Sequence, residues 1–188
     1  MISTDTKHRI LAVGRRMVQT RGYNALSFRE IAKEVGIKSA GVHHHFATKG
    51  DLGAALARQY TDEAVDFLAA LLDSHEDERS TFARYTAVFR SALAEDNRMC
   101  LCGIMAAEHH DLPDPVRAEV DRFTQVNVDW LATLLRLKNA RPDERTIRNH
   151  ALAIFAAIEG AQLVARGRAD LSVFDDTVQA YRATGLFP

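Results

Sequence analysis

The sequence predicts an all-α protein of about nine helices, divided into a small basic part and a larger acidic part. Apolar residues recur at the helical spacing i, i+3, i+4 and i+7 through most of the 188 residues, and short polar segments separate these runs. Residues 1–50 carry nine Lys or Arg against three Asp or Glu, a net charge of +6, whereas the remainder carries 15 basic and 22 acidic residues, a net charge of −7. A basic end on an acidic body is typical of a protein that binds a polyanion at one end.

Three helices are predicted within the first 46 residues. The first covers residues 5–21. Ser27 and Glu30 form a capping box that starts the second helix, and Gly36 ends it in a left-handed backbone conformation. Ser39 is placed to cap the third helix. Two short helices joined by a turn of about four residues form a helix-turn-helix, whose second helix enters the major groove of DNA.

Six further helices are predicted after residue 48. The first of them covers residues 49–73 without a break, because its apolar residues keep one helical period throughout. Polar or proline-containing segments separate the others, which are expected at about residues 80–94, 99–110, 115–138, 143–166 and 172–185. The long helix therefore links the basic part to the body.

Four segments of the basic part, followed by a lysine, form a pattern in which many residues stand at fixed spacing. They are Arg21-Gly22-Tyr23, Ser27-Phe28-Arg29-Glu30-Ile31-Ala32, Val35-Gly36-Ile37 and His44-His45-Phe46, with Lys49 three residues further on. With this spacing, about the first 52 residues resemble the N-terminal domain of TetR-family transcriptional regulators. One position departs from the family pattern, because His43 stands where the family commonly has a tyrosine that reaches a phosphate. An imidazole can also donate to phosphate, with a pH dependence that tyrosine lacks.

The resemblance implies a ligand-responsive repressor that binds a palindromic operator as a homodimer and is released by a small molecule. It implies that residues 1–48 form the helix-turn-helix DNA-binding domain and that residues 49–188 form a helical ligand-binding and dimerisation domain. The last two helices of each subunit would pack as a four-helix bundle. The partners are therefore double-stranded operator DNA, a second copy of the chain and an unknown small-molecule effector.

Nine residues are predicted to contact DNA. Lys38 can donate to guanine O6 or N7, Ala40 and Gly41 allow close approach, and Lys49 suits a phosphate at the start of the next helix. The full set is Ser27, Arg29, Lys38, Ser39, Ala40, Gly41, His43, His44 and Lys49.

Eight residues of the body are predicted to line an effector cavity, with ordinary core packing as the alternative for each of them. Such a lining suits a mostly apolar ligand with one or two polar groups. The residues are Cys100, Met105, His109, Phe123, Asn127, Trp130, Phe155 and Glu159.

The pair Cys100 and Cys102 leaves several interpretations open. Buried packing is the ordinary one, whereas sensing of an oxidant or electrophile would need an exposed thiol with a low pKa. Residues two apart on a helix point about 200° from each other, so a zinc site would need ligands from other helices. No metal site is predicted from this segment.

Other classes of protein are less consistent with the sequence. Two alternatives to a ligand-responsive repressor stay open. One is a regulator that senses oxidants or electrophiles through Cys100 or Cys102, and the other is a helical interaction module without DNA binding. No Gly-rich phosphate loop or G-x-S-x-G nucleophile elbow occurs in the sequence, so neither an enzyme nor a cofactor is expected. The opening segment lacks an apolar signal region, and no uncharged run approaches the ~20 residues that span a bilayer. A cytoplasmic protein without membrane contact is therefore expected.

Overall fold

The computed structural model describes residues 2–74, 76–137 and 143–188, and all regular structure in these ranges is helical. Nine α-helices are present there, as the periodicity predicts, together with two short 3₁₀ helices at Tyr23–Ala25 and His109–Asp111. The α-helices are α1 (Ile2–Arg21), α2 (Phe28–Val35), α3 (Ser39–His45), α4 (Lys49–Asp73), α5 (Glu78–Ala94), α6 (Leu101–Ala107), α7 (Asp114–Arg136), α8 (Glu144–Arg168) and α9 (Leu171–Ala183). No helix in the described ranges has the length and hydrophobicity needed to cross a lipid bilayer.

Local capping interactions set the start of several helices. The Ser27 side chain accepts a hydrogen bond from the Glu30 backbone N–H at 3.4 Å, so the predicted N-terminus of α2 is confirmed. The Glu30 carboxylate does not complete the capping box in the usual way, since it accepts from the Arg21 guanidinium at 2.7 Å. Thr48 and Asp51 cap each other reciprocally at the start of α4, with N–H to side-chain oxygen distances of 2.9 and 3.1 Å.

Several predicted helix starts and ends differ from the structure. Helix α1 begins at Ile2, whereas residue 5 was expected, and α6 covers Leu101–Ala107, whereas about residues 99–110 were expected. Lys38, in an extended conformation, is the N-cap of α3, and Ser39 is the first helical residue. Helix α7 starts at Asp114, because the Pro113 carbonyl already accepts from the backbone N–H groups of the first turn. Helix α8 continues to Arg168, and Ala169 rather than Gly167 takes the left-handed conformation, with φ of 51°. In α3, α7 and α8 the helix start or end moves by one or two residues.

Residue contacts divide the chain into two compact units. The first comprises the residues up to Asp62 together with Leu101–Arg122, and the second comprises Glu63–Cys100 together with the residues from Phe123 on. Helices α4 and α7 therefore each contribute residues to both units. The predicted domains, residues 1–48 and 49–188, were assigned by expected function and not by contacts, and they stay a prediction.

The first unit packs α1 against α2 and α6, and α2 against α3. One fully buried apolar residue from each of α1 to α4 forms its centre: Ile10, Ile31, Val42 and Leu52. The second unit packs α8 against α9 and α5. Its fully buried residues include Phe82, Leu131, Ile154 and Ile158. Val88 on α5 is exposed although its neighbour Phe89 is buried.

Candidate nucleic-acid interface and buried polar cluster

The helix-turn-helix consists of α2, a glycine turn and α3. Gly36 adopts φ of 79° and ψ of 33°, a left-handed conformation that a side chain would strain. The backbone N–H groups of Gly36 and Ile37 both donate to the Ala32 carbonyl, which closes the end of α2. Val42 and Phe46, both buried, anchor α3 from one side. The opposite side of α3 is therefore left for solvent or DNA.

All nine residues predicted to contact DNA reach solvent in the first unit. Lys38, Ser39, Ala40, His43 and His44 are exposed on α3 or at its N-cap. Arg29 is exposed on α2, and Ser27, Gly41 and Lys49 are half-buried. The structure thus places the predicted residues at the start of α2, along α3 and at the start of α4, and their contacts with DNA stay predictions.

His43 is exposed but has contacts within the unit. Its ring lies edge-on to the Phe28 ring with centroids 4.6 Å apart, and its Nδ1 lies 3.4 Å from the Ala47 carbonyl oxygen. When Nδ1 carries the hydrogen of that contact, Nε2 can donate to a phosphate only if the imidazole is protonated.

Lys49 is directed toward its own chain. Its ammonium donates to the Asn24 carbonyl at 3.1 Å and lies 4.6 Å from the centre of the Tyr23 ring. Burial lowers the pKa of Lys49, and the nearby carboxylates of Glu108 and Asp111 oppose this shift. The ammonium therefore has intramolecular partners in addition to the phosphate that the sequence predicts for it.

The chain reversal after α1 is held by the segment that follows α6, a contact that is not predicted from the sequence. The Glu108 carboxylate accepts hydrogen bonds from the backbone N–H groups of Tyr23 and Asn24. A Cβ on Gly22, which has φ of 90°, would lie 2.7 Å from a Glu108 carboxylate oxygen. The Asn24 side-chain amide donates to Asp111 at 2.6 Å. Glycine at position 22 thus allows a positive φ and also leaves room for the Glu108 carboxylate to approach the backbone.

The residues predicted to line an effector cavity are distributed over both units. Met105 is buried in the first unit, whereas His109, also in the first unit, is exposed beside His110. The other six are buried or half-buried in the second unit: Cys100, Phe123, Asn127, Trp130, Phe155 and Glu159.

Tyr85 and Asn127 form the centre of a buried polar cluster in the second unit. The Tyr85 hydroxyl donates to the Asn127 side-chain oxygen at 2.9 Å, and the Asn127 amide donates to the Phe123 carbonyl at 2.8 Å. The Trp130 ring lies 4.8 Å from the Tyr85 ring, and its indole N–H donates to the Leu68 carbonyl at 2.9 Å. Each of these buried polar groups therefore has a hydrogen-bond partner, as is usual for buried polar groups.

Gln162 forms the second part of this cluster and connects three segments of the unit. Its side-chain oxygen accepts from the Cys100 backbone N–H at 2.9 Å, and its amide donates to the Phe89 carbonyl at 2.8 Å. Of these polar residues, Asn127 was among the predicted cavity residues, whereas Tyr85 and Gln162 were not. Nothing in their local sequence distinguishes them from ordinary helix residues.

Glu159 on α8 is the exception in the cluster. Both of its carboxylate oxygens are inaccessible to solvent, and neither accepts a well-formed hydrogen bond. Burial raises the pKa of Glu159 to about 7, although an interaction with the Cys100 thiol opposes part of that shift. Burial, with smaller contributions from Glu159 and Cys100, also raises the pKa of Tyr85 well above its usual value. Glu159, Cys100 and Tyr85 thus lie close enough to influence one another.

The outward side of α8 is apolar. Leu152, Leu163 and Val164 are 50%, 55% and 54% exposed, although they belong to a long helix with a buried face of its own. A Cβ added at Gly160 or Gly167 would meet no atom within 4 Å. Exposed apolar groups beside small residues are typical of a helix that packs closely against a partner.

Comparisons with known proteins agree with the geometry. Residues 10–56 match the family described as bacterial regulatory proteins, tetR family. The chain is similar to a TetR transcriptional regulator from Legionella pneumophila, with 29% identity, coverage of 95% of this chain and 96% of that chain, and a TM-score of 0.88. It is also similar to a TetR-family transcriptional regulator from Agrobacterium tumefaciens, with 28% identity, coverage of 95% and 96%, and a TM-score of 0.86.

A third structure extends the likeness in fold alone. The reduced form of E. coli NemR is 19% identical, with coverage of 94% of both chains and a TM-score of 0.80. No curated protein matches the sequence.

Proposed function

We propose that this chain, which has the N-terminal domain and the fold of the TetR family, is a repressor that binds a palindromic operator as a homodimer and is released by a small molecule. The observation that carries the proposal is α3, which is anchored by Val42 and leaves the side chains of Lys38, Ser39, His43 and His44 exposed. The net charge of +6 over residues 1–50 favours binding of this surface to the phosphates of DNA.

The composition of α3 indicates how the operator would be recognised. Ala40 and Gly41 offer no side-chain hydrogen bonds, so direct base contacts rest on Lys38, Ser39 and the two exposed histidines. Phosphate contacts and sequence-dependent DNA shape would carry much of the remaining specificity. Two copies related by a two-fold axis would bind two half-sites in the same way.

Salt-dependent binding tests the proposal. We expect the protein to bind the promoter region upstream of its own gene with an affinity that falls steeply as salt rises, since each neutralised phosphate releases counterions. Lys49→Ala should weaken binding to all sequences alike and reduce the salt slope by about one, whereas Lys38→Ala should relax base preference. Fluorescence anisotropy with operator and scrambled duplexes measures both effects.

Lys33→Ala is the matched control, because Lys33 is an exposed lysine of α2 outside the predicted contact set. Circular dichroism should show that all three variants remain folded, which matters for Lys49 because of its contacts with Asn24 and Tyr23. If the Lys38 and Lys49 variants bind like the control, the proposed position of α3 in the groove is wrong.

The homodimer is supported by the outward face of α8. An exposed apolar surface of this kind costs free energy in water, and a second copy of the same helix would cover it. The small residues Ala153, Ala156 and Gly160 lie on this side and permit close approach of two backbones. We infer that α8 and α9 of two subunits form the four-helix bundle that the family resemblance implies.

Release by a bound effector, rather than by oxidation of a thiol, is the form of regulation that we propose. Cys100 and Cys102 are only 1% and 2% exposed, which limits access of an oxidant. An effector would act by binding the released conformation more tightly than the DNA-binding one.

A further inference from the structure

Glu159 is a buried acid whose expected partner is absent from the second unit. Buried side-chain oxygens in folded proteins nearly always accept hydrogen bonds, yet both oxygens of this carboxyl lack one. Burial and the Cys100 thiol are the causes of the shift in the pKa of Glu159, and no Lys, Arg or His of the described residues is among them. An uncompensated carboxylate in such a place is costly unless a cation or hydrogen-bond donor joins it.

The groups around Glu159 indicate what kind of molecule could join it. Tyr85 is within electrostatic reach of the carboxyl, and its ring lies 4.8 Å from Trp130 and 5.5 Å from Phe89. Aromatic rings bind apolar groups through their area and attract cations through the negative charge of their faces. The hydroxyl and amide groups nearby are already paired with each other, whereas the carboxyl has no well-formed hydrogen bond and interacts only weakly with the Cys100 thiol.

We propose that Glu159 is the residue that selects the effector, and that the effector is an apolar organic cation whose ammonium or amidinium group binds the Glu159 carboxylate beside the aromatic cluster around Tyr85. This inference rests on the proposed function, because it names the chemical class of the effector. The cation supplies the missing charge and the missing hydrogen bonds at once. A neutral donor could supply hydrogen bonds but would leave the charge uncompensated.

The state of the Glu159 carboxyl predicts how binding depends on pH. Its pKa of about 7 means that the carboxyl is largely neutral in mildly acidic solution. A cation binds the ionised form, so its affinity should rise about tenfold from about pH 6 to about pH 8. The groups that face the carboxyl are Cys100 and, from α5, Tyr85. Burial keeps Tyr85 neutral throughout this range, because it moves the pKa of the phenol upward.

Matched pairs of small molecules test the proposal with the full-length chain. The cationic probes are phenethylamine, tryptamine and benzamidine, and their neutral counterparts are phenethyl alcohol, tryptophol and benzamide. Isothermal titration calorimetry should give at least tenfold tighter binding of the cations than of their neutral counterparts at about pH 8, because only the cations compensate the charge. Glu159→Gln should abolish this preference, and Glu159→Asp, which keeps the charge, should retain part of it.

Glu144→Gln is the control, since Glu144 is an exposed glutamate of the same helix that pairs with Arg136. It removes the same charge and should leave the preference for cations unchanged. Equal binding of the cations and their neutral counterparts, a preference that survives in Glu159→Gln, or no binding of any cation would overturn the proposal.

Operator binding measured on the same samples separates this inference from the proposed function. A protein that binds operator DNA but no cation refutes the effector class and leaves the regulator proposal intact. A protein that binds cations through Glu159 but never binds operator DNA refutes the regulator proposal and leaves the Glu159 site intact.

Discussion

Replacing Glu159 by glutamine should change how stability depends on pH. The folded protein holds the Glu159 carboxyl at a pKa of about 7, raised by burial from its ordinary value of 4.5. An acid whose pKa is raised on folding binds its proton more tightly in the folded state than in the unfolded state. It therefore destabilises the fold progressively as pH rises from 4.5 to about 7, and the destabilisation is constant above that range.

The magnitude follows from the size of the shift. Each unit of pKa corresponds to about 1.4 kcal/mol, so a shift from 4.5 to about 7 corresponds to roughly 3 kcal/mol. Glutamine occupies nearly the same volume and does not titrate. The variant should therefore gain roughly 3 kcal/mol of unfolding free energy relative to the wild type between acidic and mildly alkaline solution. Any constant cost of burying the amide appears equally at every pH.

Urea denaturation at one protein concentration, repeated between about pH 5 and about pH 8, measures this difference. Glu144→Gln serves as the control, because hydrogen bonding and charge from Arg136 lower the pKa of Glu144. Its stabilising contribution is lost only as pH falls below 4.5, so the control difference should stay flat across the measured range. A difference for Glu159→Gln that is also flat would show that Glu159 ionises as an ordinary surface acid, and the reasoning about its missing partner would fail.

Two further predictions concern the packing around Gly53 in the first unit and the exposed apolar face of α8 in the second. Gly53→Ala should cost about 1–3 kcal/mol, since its Cβ would lie 2.6 Å from the Tyr23 ring, and a thermal-denaturation midpoint equal to that of the wild type would contradict the packing argument. Leu163→Glu should convert the protein to monomers in sedimentation velocity and weaken operator binding, because a charge would enter the apolar face of α8. Leu137→Glu, at a leucine 77% exposed outside α8, should leave the dimer intact, and a Leu163→Glu protein that sediments like it would refute the proposed interface.

Much of the fold could be predicted from the sequence, because the interactions that start and stop helices are local. Ser27 caps α2 across three residues, Thr48 and Asp51 cap α4 across three residues, and Gly36 ends α2 in the conformation expected of glycine. The periodicity of apolar residues placed Val42 in the core and left the rest of α3 outward. The candidate DNA-binding surface was predictable for the same reason, since it lies on two short helices and the turn between them.

The partners of the remaining functional groups are distant in sequence, and only the tertiary structure decided them. Glu108 reaches the turn at Tyr23 across 85 residues, and Tyr85 reaches Asn127 across 42. No local pattern reports such pairings, because they depend on how helices pack and not on how each helix begins. The same holds for Glu159, whose place in the sequence indicated only that an acid lies within an apolar helix. By itself the sequence determined the helices and the DNA-reading motif, whereas packing decided that this carboxyl is buried without a partner.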